Sequence, residues 1–283
     1  MASFTNMATL SYNGNTVNSN VVTGEIQQTL TATKTAVRES YAAGGVVTYV
    51  VNLKNSGPTA LNNLTLSDNL GQITPNTTPV YPLTYTAGSV RYFVNGVLQT
   101  APTVNTTQPL QITGISVPAG GTATLVYETT ANAYAPLAAG STVVNTVTVT
   151  GDGVATPVTA EETVTVRSEP ALTITKALSP TVVTENGQIT YTFTIVNTGN
   201  TEATAADGIV LSDLFSPAIT IQSVTYNGAA WTSPDNYTYD SGSGQFTTVA
   251  GQITVPAAPY TQNSDGSYST TPRTSTLVVV GTV

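Results

Sequence analysis

The chain has 283 residues, seven Lys and Arg against fifteen Asp and Glu, a formal net charge of -8, and neither His nor Cys. Without imidazole or thiolate there is no histidine general base, no cysteine nucleophile and no ligand set for zinc, copper or an iron–sulfur cluster, so neither a metal nor another cofactor is expected. Seven scattered cations cannot build the basic stripe that nucleic acid binding needs, and no window approaches the roughly 20 apolar residues that span a bilayer, which excludes nucleic acid and membrane as partners.

The N-terminal segment, residues 1–26, opens Met-Ala-Ser-Phe-Thr-Asn and has no basic stretch followed by an apolar run, so a secretory signal is not read there. Export with prior removal of a signal, or release by lysis of the producing cell, is expected instead. The first domain is read at 27–168. Its strand signals are Leu30-Thr-Ala-Thr-Lys-Thr-Ala-Val37, Val46-Val-Thr-Tyr-Val-Val-Asn-Leu53, Leu61-Asn-Asn-Leu-Thr-Leu66, Thr122-Ala-Thr-Leu-Val-Tyr127, Thr142-Val-Val-Asn-Thr-Val-Thr-Val149 and Glu162-Thr-Val-Thr-Val166. Short β-branched runs punctuated by Gly, Pro and Asn predict an all-β sandwich, and no helical period of useful length competes. Ser168-Glu-Pro170 is a brief linker, and residues 169–283 form the second domain.

That second domain repeats the first. Leu172-Thr-Ile-Thr-Lys-Ala-Leu178 copies the strand at Leu30, and Ile189-Thr-Tyr-Thr-Phe-Thr-Ile-Val-Asn-Thr-Gly199 copies Val47 to Gly57. Ile209-Val-Leu-Ser-Asp-Leu-Phe215 copies Leu64 to Leu70, and Thr274-Ser-Thr-Leu-Val278 copies Thr122 to Val126. Two tandem immunoglobulin-like sandwiches follow. The second copy then ends at Val283 without its last strand or strands. A segment resembling them stands at the other end: Phe4-Thr-Asn-Met-Ala-Thr-Leu-Ser-Tyr-Asn-Gly14 parallels Val143 to Gly153, and Val21-Val-Thr-Gly-Glu25 parallels Val158-Thr-Ala-Glu-Glu162. An open sandwich edge recruits a strand. The five-residue link from Glu25 to Leu30 is short for self-filling, so the second sandwich is expected to be completed by the N-terminal strand of the next molecule, a head-to-tail contact that propagates into a filament. The expected partner is therefore the chain itself, with a separate anchor or tip protein possible.

The lysines carry the chemistry. Of three, Lys34 and Lys176 hold the same repeat position in an alternating first strand, while Lys54 is without a lysine counterpart, Asn197 being read in its place. Asp68 and Asp213 are matched carboxylates, and the closing strand supplies Asn145 in the first copy and Asn6 in the N-terminal segment. Lys, Asp and Asn on three strands are the ingredients of a spontaneous isopeptide bond: desolvation favours neutral amine beside protonated acid, the amine attacks the carboxamide, and ammonia leaves. Lys34, Asp68 and Asn145 are expected to lock the first domain internally. Lys176 and Asp213 with Asn6 of a neighbour are expected to lock the joint. Such bonds form once, so the chain is not read as a turnover enzyme.

Leu-Thr-Ile-Thr-Lys, Ile-Thr-Tyr-Thr-Phe-Thr-Ile-Val-Asn-Thr-Gly, Val-Leu-Ser-Asp and Val-Asn-Thr-Val-Thr-Val resemble the "conserved repeat domain" of Gram-positive surface proteins, also called domain of unknown function eleven. The resemblance implies immunoglobulin-like sandwiches in extracellular stalks, where Lys–Asn crosslinks are plausible. It excepts the loops at 72–115 and 216–270. With no wall-sorting motif, the expected product is a small self-assembling subunit on a cell or spore surface, such as a spore appendage. A surface adhesin gripping a glycan or protein through the loops of the second domain is the alternative. In those loops, Asp235-Asn-Tyr-Thr-Tyr-Asp-Ser-Gly-Ser-Gly244 is read as a hairpin turn in preference to a calcium loop, and Trp231 with Tyr226, Tyr237 and Tyr239 as a local aromatic cluster in preference to a sugar platform.

Overall fold

Period-two alternation decides the architecture. In the strand Val46–Asn55 the side chains of Val47, Tyr49, Val51 and Leu53 are buried while their neighbours are less so, and Thr122–Ala131 buries Ala123, Leu125, Tyr127, Thr129 and Ala131 in the same rhythm. Such strands bury one face each and need a second sheet to cover it. The structure, a computed structural model, describes residues 2–27 and 29–283, with Met1 and Gln28 outside the described residues. It divides into two compact units.

The N-terminal segment consists of β1 (Ala2–Asn6), β2 (Thr9–Tyr12), β3 (Asn15–Asn18) and β4 (Val22–Ile26), with β1 paired to β4 and β2 to β3. Asn13 and Gly14, both at positive φ, close the β2–β3 hairpin in the conformation that Asn-Gly favours. Phe4 and Leu10 are exposed in this ribbon, at 57% and 63%.

The first sandwich comprises β5 (Leu30–Ala36), β6 (Ser40–Tyr41), β7 (Val46–Asn55), β8 (Leu61–Asp68), β9 (Leu83–Tyr85), β10 (Arg91–Val94), β11 (Val97–Gln99), β12 (Thr103–Thr107), β13 (Leu110–Val117), β14 (Thr122–Ala131), β15 (Thr142–Thr150) and β16 (Val158–Val166). One sheet runs β11-β10-β14-β7-β5, with β9 on β14, and the other β12-β13-β8-β15-β16-β6.

The second unit comprises β17 (Leu172–Ser179), β18 (Gln188–Asn197), β19 (Ser212–Leu214), β20 (Thr220–Tyr226), β21 (Ala229–Trp231), β22 (Tyr237–Asp240), β23 (Gln245–Thr248), β24 (Tyr260–Gln262), β25 (Tyr268–Thr270) and β26 (Arg273–Thr282). Its main sheet runs β17-β18-β26-β20-β21, and the facing sheet has three strands, β19-β23-β22. Phe193, Ile195, Leu211, Phe215, Phe246, Ile253, Leu277 and Val279 form much of its core. Among the described residues of this unit no strand stands where β15 and β16 stand in the first, so β19 is paired on one side only.

Register proves the repeat residue by residue. Leu30 faces Asn55 and Lys34 faces Val51 across β5–β7, and Leu172 faces Asn197 and Lys176 faces Phe193 across β17–β18. This corrects one expectation: Asn197 is the counterpart of Asn55, and Lys54 is matched by Val196. Both asparagines are fully buried. Asn55 Nδ2 donates to the carbonyls of Thr59, Val117 and Pro118 and its Oδ1 accepts from Gly57 N–H, while Asn197 Nδ2 donates to Thr201, Val255 and Pro256 and its Oδ1 accepts from Gly199 and Ala171. Asn197→Ala leaves those buried groups unpaired and is expected to destabilise the second unit by about 3 kcal/mol. Urea unfolding followed by the fluorescence of Trp231, the chain's one tryptophan, measures it.

The expected boundaries of 27–168 and 169–283 differ from the compact units in three short stretches: residues 137–140 and 167–168 group with the second unit and 264–267 with the first, and the N-terminal segment groups with the first. Asparagine side chains hold these stretches: Asn200 Nδ2 donates to the carbonyls of Leu137 at 2.9 Å and Arg167 at 3.0 Å, and Asn76 Nδ2 donates to that of Ser264 at 2.7 Å. Among the described residues no helix is long and apolar enough to cross a membrane.

Candidate functional site

In the first sandwich β5 lies at the edge of one sheet and carries Lys34 inward, because alternation from buried Leu30 returns to the core side at every second residue. β8 ends on Asp68, and β15, hydrogen-bonded beside it, carries Asn145. All three residues are buried. Lys34 Nζ donates to Asp68 Oδ2 at 2.9 Å, with both side chains 0% exposed, and Asn145 Nδ2 lies 3.4 Å from the same oxygen. The Tyr127 hydroxyl also donates to Oδ2, and Leu70 N–H donates to Oδ1 at 2.7 Å. The structure therefore brings Lys34, Asp68 and Asn145 together around one carboxylate.

The electrostatics follow from burial. Desolvation lowers the Lys34 amine to about 8, against the opposing pull of Asp68 and, more weakly, Glu162. Its Nζ also sits 4.5 Å from the centroid of the Tyr49 ring. Burial pushes the phenols of Tyr49 and Tyr127 well above the ordinary tyrosine range, so both keep their protons. Asn145 Oδ1 is buried without a hydrogen bond. Turning the carboxamide over, which exchanges O and N within the same shape, brings that orphan acceptor to Asp68, where a proton on the acid would satisfy it.

The second unit holds two members of the same set. Lys176 pairs with Asp213, and its Nζ lies 4.4 Å from the Tyr191 ring centroid and 5.4 Å from those of Phe193 and Phe215. The cradle is made but not covered: the Lys176 side chain is 38% exposed, where that of Lys34 is 0% exposed. Every residue of β17 is exposed, Ile174 at 55%, in contrast to β5, whose Leu30 and Lys34 are buried. Leu178, Val183 and Leu214 are exposed as well. Asn6 is exposed on β1, opposite Val22, within the N-terminal ribbon.

Sequence reading missed Tyr127, Glu162 and the aromatic floor. Tyr49 and Tyr191 were within reach, since both stand after Thr at matched positions of the repeat. Tyr127 was not, because Val279 occupies its place: each faces the tyrosine of the adjoining strand, Tyr49 or Tyr191. Glu162 lies on β16 and accepts the Ala36 N–H at 3.2 Å.

The remaining motifs lie in the second unit. Asp235 to Gly244 holds the β22–β23 hairpin turn, with Asp240 accepting from Gly242 N–H and the Ser243 hydroxyl. The four aromatics divide into two groups: Trp231 stacks on Tyr226 at 4.9 Å, while Tyr237 stacks on Phe246 and Tyr239 packs toward Phe215. Among the described residues no three His, Cys, Asp or Glu gather as a metal cluster.

No protein-family model and no curated protein matches the chain, so the likeness to the conserved repeat domain rests on the short motifs alone. Solved structures with which it shares some similarity include the N-terminal domain of a Streptococcus gordonii adhesin (13% identity, TM-score 0.38, 54% of this chain and 36% of that one). They also include the pilus backbone of Streptococcus pneumoniae (14%, 0.34, 83% and 52%) and a C-terminal fragment of the major pilin of Streptococcus agalactiae (12%, 0.33, 85% and 84%). The chain thus spans about a third of the adhesin domain's structure and about half of the pneumococcal one. None of these similarities is close enough to carry function across.

Proposed function

We propose that the chain is the structural subunit of an extracellular filament, joined head to tail when the N-terminal segment of one molecule completes the second sandwich of the next, and locked by Lys–Asn isopeptide bonds. The observation that carries this reading is the contrast between the buried Lys34 set and the exposed Lys176–Asp213 pair. The two sites share register, lysine, carboxylate and an aromatic floor, and differ by the strands bearing Asn145 and Glu162 and by Val279 in the place of Tyr127. A segment whose sequence parallels those strands, Asn6 included, lies at residues 2–26 and is exposed throughout 3–23.

Docking supplies backbone partners for the free side of β19 and buries apolar side chains on both molecules. Phe4 and Leu10 of the donor and Ile174 and Leu178 of the acceptor each contribute roughly 1.5–3 kcal/mol when removed from water. The contact is heterologous and propagates.

The chemistry is the same at both sites. The lysine proton passes to the aspartate, leaving a neutral amine; with the Lys34 amine near 8 against the opposing pull of Asp68, roughly a tenth is neutral at pH 7. The acid then donates to the carboxamide oxygen, and Nζ attacks the amide carbon. As the new N–C bond forms, the bond from carbon to the Asn nitrogen breaks, and the aspartate returns protons to the departing group, which leaves as ammonia. One amine and one carboxamide give one secondary amide and one ammonia, with no oxidant or reductant. Confinement of amine and amide in a dry core provides the effective concentration.

A chain lacking residues 2–26 is expected to remain a monomer under conditions in which the full chain polymerises, as followed by light scattering and electron microscopy. Polymerisation of the shortened chain would remove strand donation as the joint. Such a fibre belongs outside a Gram-positive cell or spore.

A further inference from the structure

The pairing inside the N-terminal ribbon does not match that of the strands it parallels. In the free chain β1 and β4 set Asn6 opposite Val22, Thr5 opposite Thr23 and Ser3 opposite Glu25. In the first sandwich β15 and β16 set Asn145 opposite Glu162, Val147 opposite Ala160 and Thr148 opposite Thr159. Carried across the two sequence parallels, that pattern places Asn6 opposite Glu25 and Thr9 opposite Val22.

We infer that the neighbour's groove takes both β1 and β4, side by side, and that they fit it only after sliding three residues past each other, which brings Glu25 opposite Asn6. This rests on the strand donation proposed above and defines the donated element as a two-stranded ribbon with a stored, off-register form.

Three observations support it. First, a slip by an odd number of residues changes which side chains share a face. In the free ribbon Asn6 shares its face with Phe4, Val22 and Gly24, and Glu25 points the other way. In the first sandwich Asn145 and Glu162 face the core side together, Asn145 reaching Asp68 and Glu162 accepting the Ala36 N–H of β5. Leu178 matches Ala36, so a Glu25 set opposite Asn6 would accept the Leu178 N–H at the exposed edge of β17.

Second, the free register has its own fastenings. The Phe4 ring lies over Gly24, where a β-carbon would collide with it, and the tight Asn13–Gly14 turn fixes Tyr12 opposite Asn15. Phe4 matches Val143, which is buried, so Phe4 must leave Gly24 to fill the groove. Third, β15 pairs with β8 so that Val147 faces Asp68. Ala8 would therefore stand opposite Asp213 at the free side of β19, and β4 would cover β17 as β16 covers β5. A single donated strand would leave β17 bare.

The chain has no cysteine, so paired substitutions give clean disulfide locks. T5C/T23C, directly opposed in the free ribbon, locks the stored register. T9C/V22C is opposed only after the slip, at a position matching the outward pair Thr148 and Thr159. Oxidised T5C/T23C is expected to stay monomeric and to polymerise on reduction, while oxidised T9C/V22C polymerises at least as fast as its reduced form. Polymerisation of oxidised T5C/T23C at the parent rate would show that the ribbon enters unslipped. Failure of oxidised T9C/V22C alongside growth of its reduced form would show that the strands separate and only one is donated. Either result overturns the two-strand slip. Failure of strand donation itself reads out elsewhere, as polymerisation of the chain lacking residues 2–26.

Discussion

Replacing Lys176 with alanine is expected to give fibres that assemble and then fall to monomers in boiling detergent, where the parent runs as a ladder of multiples. The backbone ladder to β19 and the apolar burial along β17 do not involve the amine, so assembly survives. The amide that resists heat and detergent does not form. Peptide mapping of the parent ladder should yield an Asn6 peptide joined to a Lys176 peptide and lighter than their sum by one ammonia, and the variant should lack it while keeping the Lys34–Asn145 product. Asn6→Ala is expected to behave as Lys176→Ala does. Mixing the two variants sharpens the result: a Lys176→Ala chain still offers Asn6, an Asn6→Ala chain still offers Lys176, and each can make one bond. Covalent dimers and nothing longer are expected. A ladder from the mixture, or from either variant alone, would mean that another pair of residues makes the joint.

The β-sandwiches were legible in the chain because alternation and duplication point to the same strands. Val47, Tyr49, Val51 and Leu53 announce one face, and the copy at Ile189 to Val196 repeats it, so an error in one copy is checked by the other. The pairing of Lys34 with Asp68 and Lys176 with Asp213 was legible for the same reason. The misplacement of Lys54 against Asn197 was a slip of one residue, which strand register resolves, because Asn55 and Asn197 make the same buried bonds. What the sequence could not carry depends on a side chain's third neighbour. Tyr127 reaches Asp68 from the facing sheet, and no local pattern links them. The division of the aromatics into a Tyr226–Trp231 pair and a Tyr237–Phe246 pair depends on which strands of the second unit form which sheet. The off-register pairing of β1 with β4 was equally hidden, since a turn at Asn13–Gly14 and a ring resting on Gly24 outweigh the parallel with β15 and β16 that the residue order suggests.

Asn145→Ala isolates what the internal bond contributes. It removes the electrophile and leaves Lys34 and Asp68 as the ion pair seen here, so the chain is expected to gain no mass deficit from its first unit. A covalent link between residues 34 and 145 closes a loop of roughly 110 residues, and by chain entropy its loss should lower the stability of that unit by about 5 kcal/mol. The same variant should acquire a pH dependence that the parent lacks. Lys34 ionises near 8 in the folded state and at 10.5 when unfolded, so between those values the unfolded chain holds more protons and stability rises with pH. Between pH 8 and about 9.5, below the range where unfolded tyrosines lose their protons, the rise should be about 2 kcal/mol. Tyr49 and Tyr127 act with the opposite sign above that range, because burial raises their folded ionisation and the unfolded chain releases protons first. Opening free energies from hydrogen exchange in β7 and β14 measure both effects. On the proposed bond the parent's Lys34 is an amide with nothing to titrate, so its profile over the same window should be flat. A parent profile that rises as the variant's does would mean that Lys34 is still a free amine.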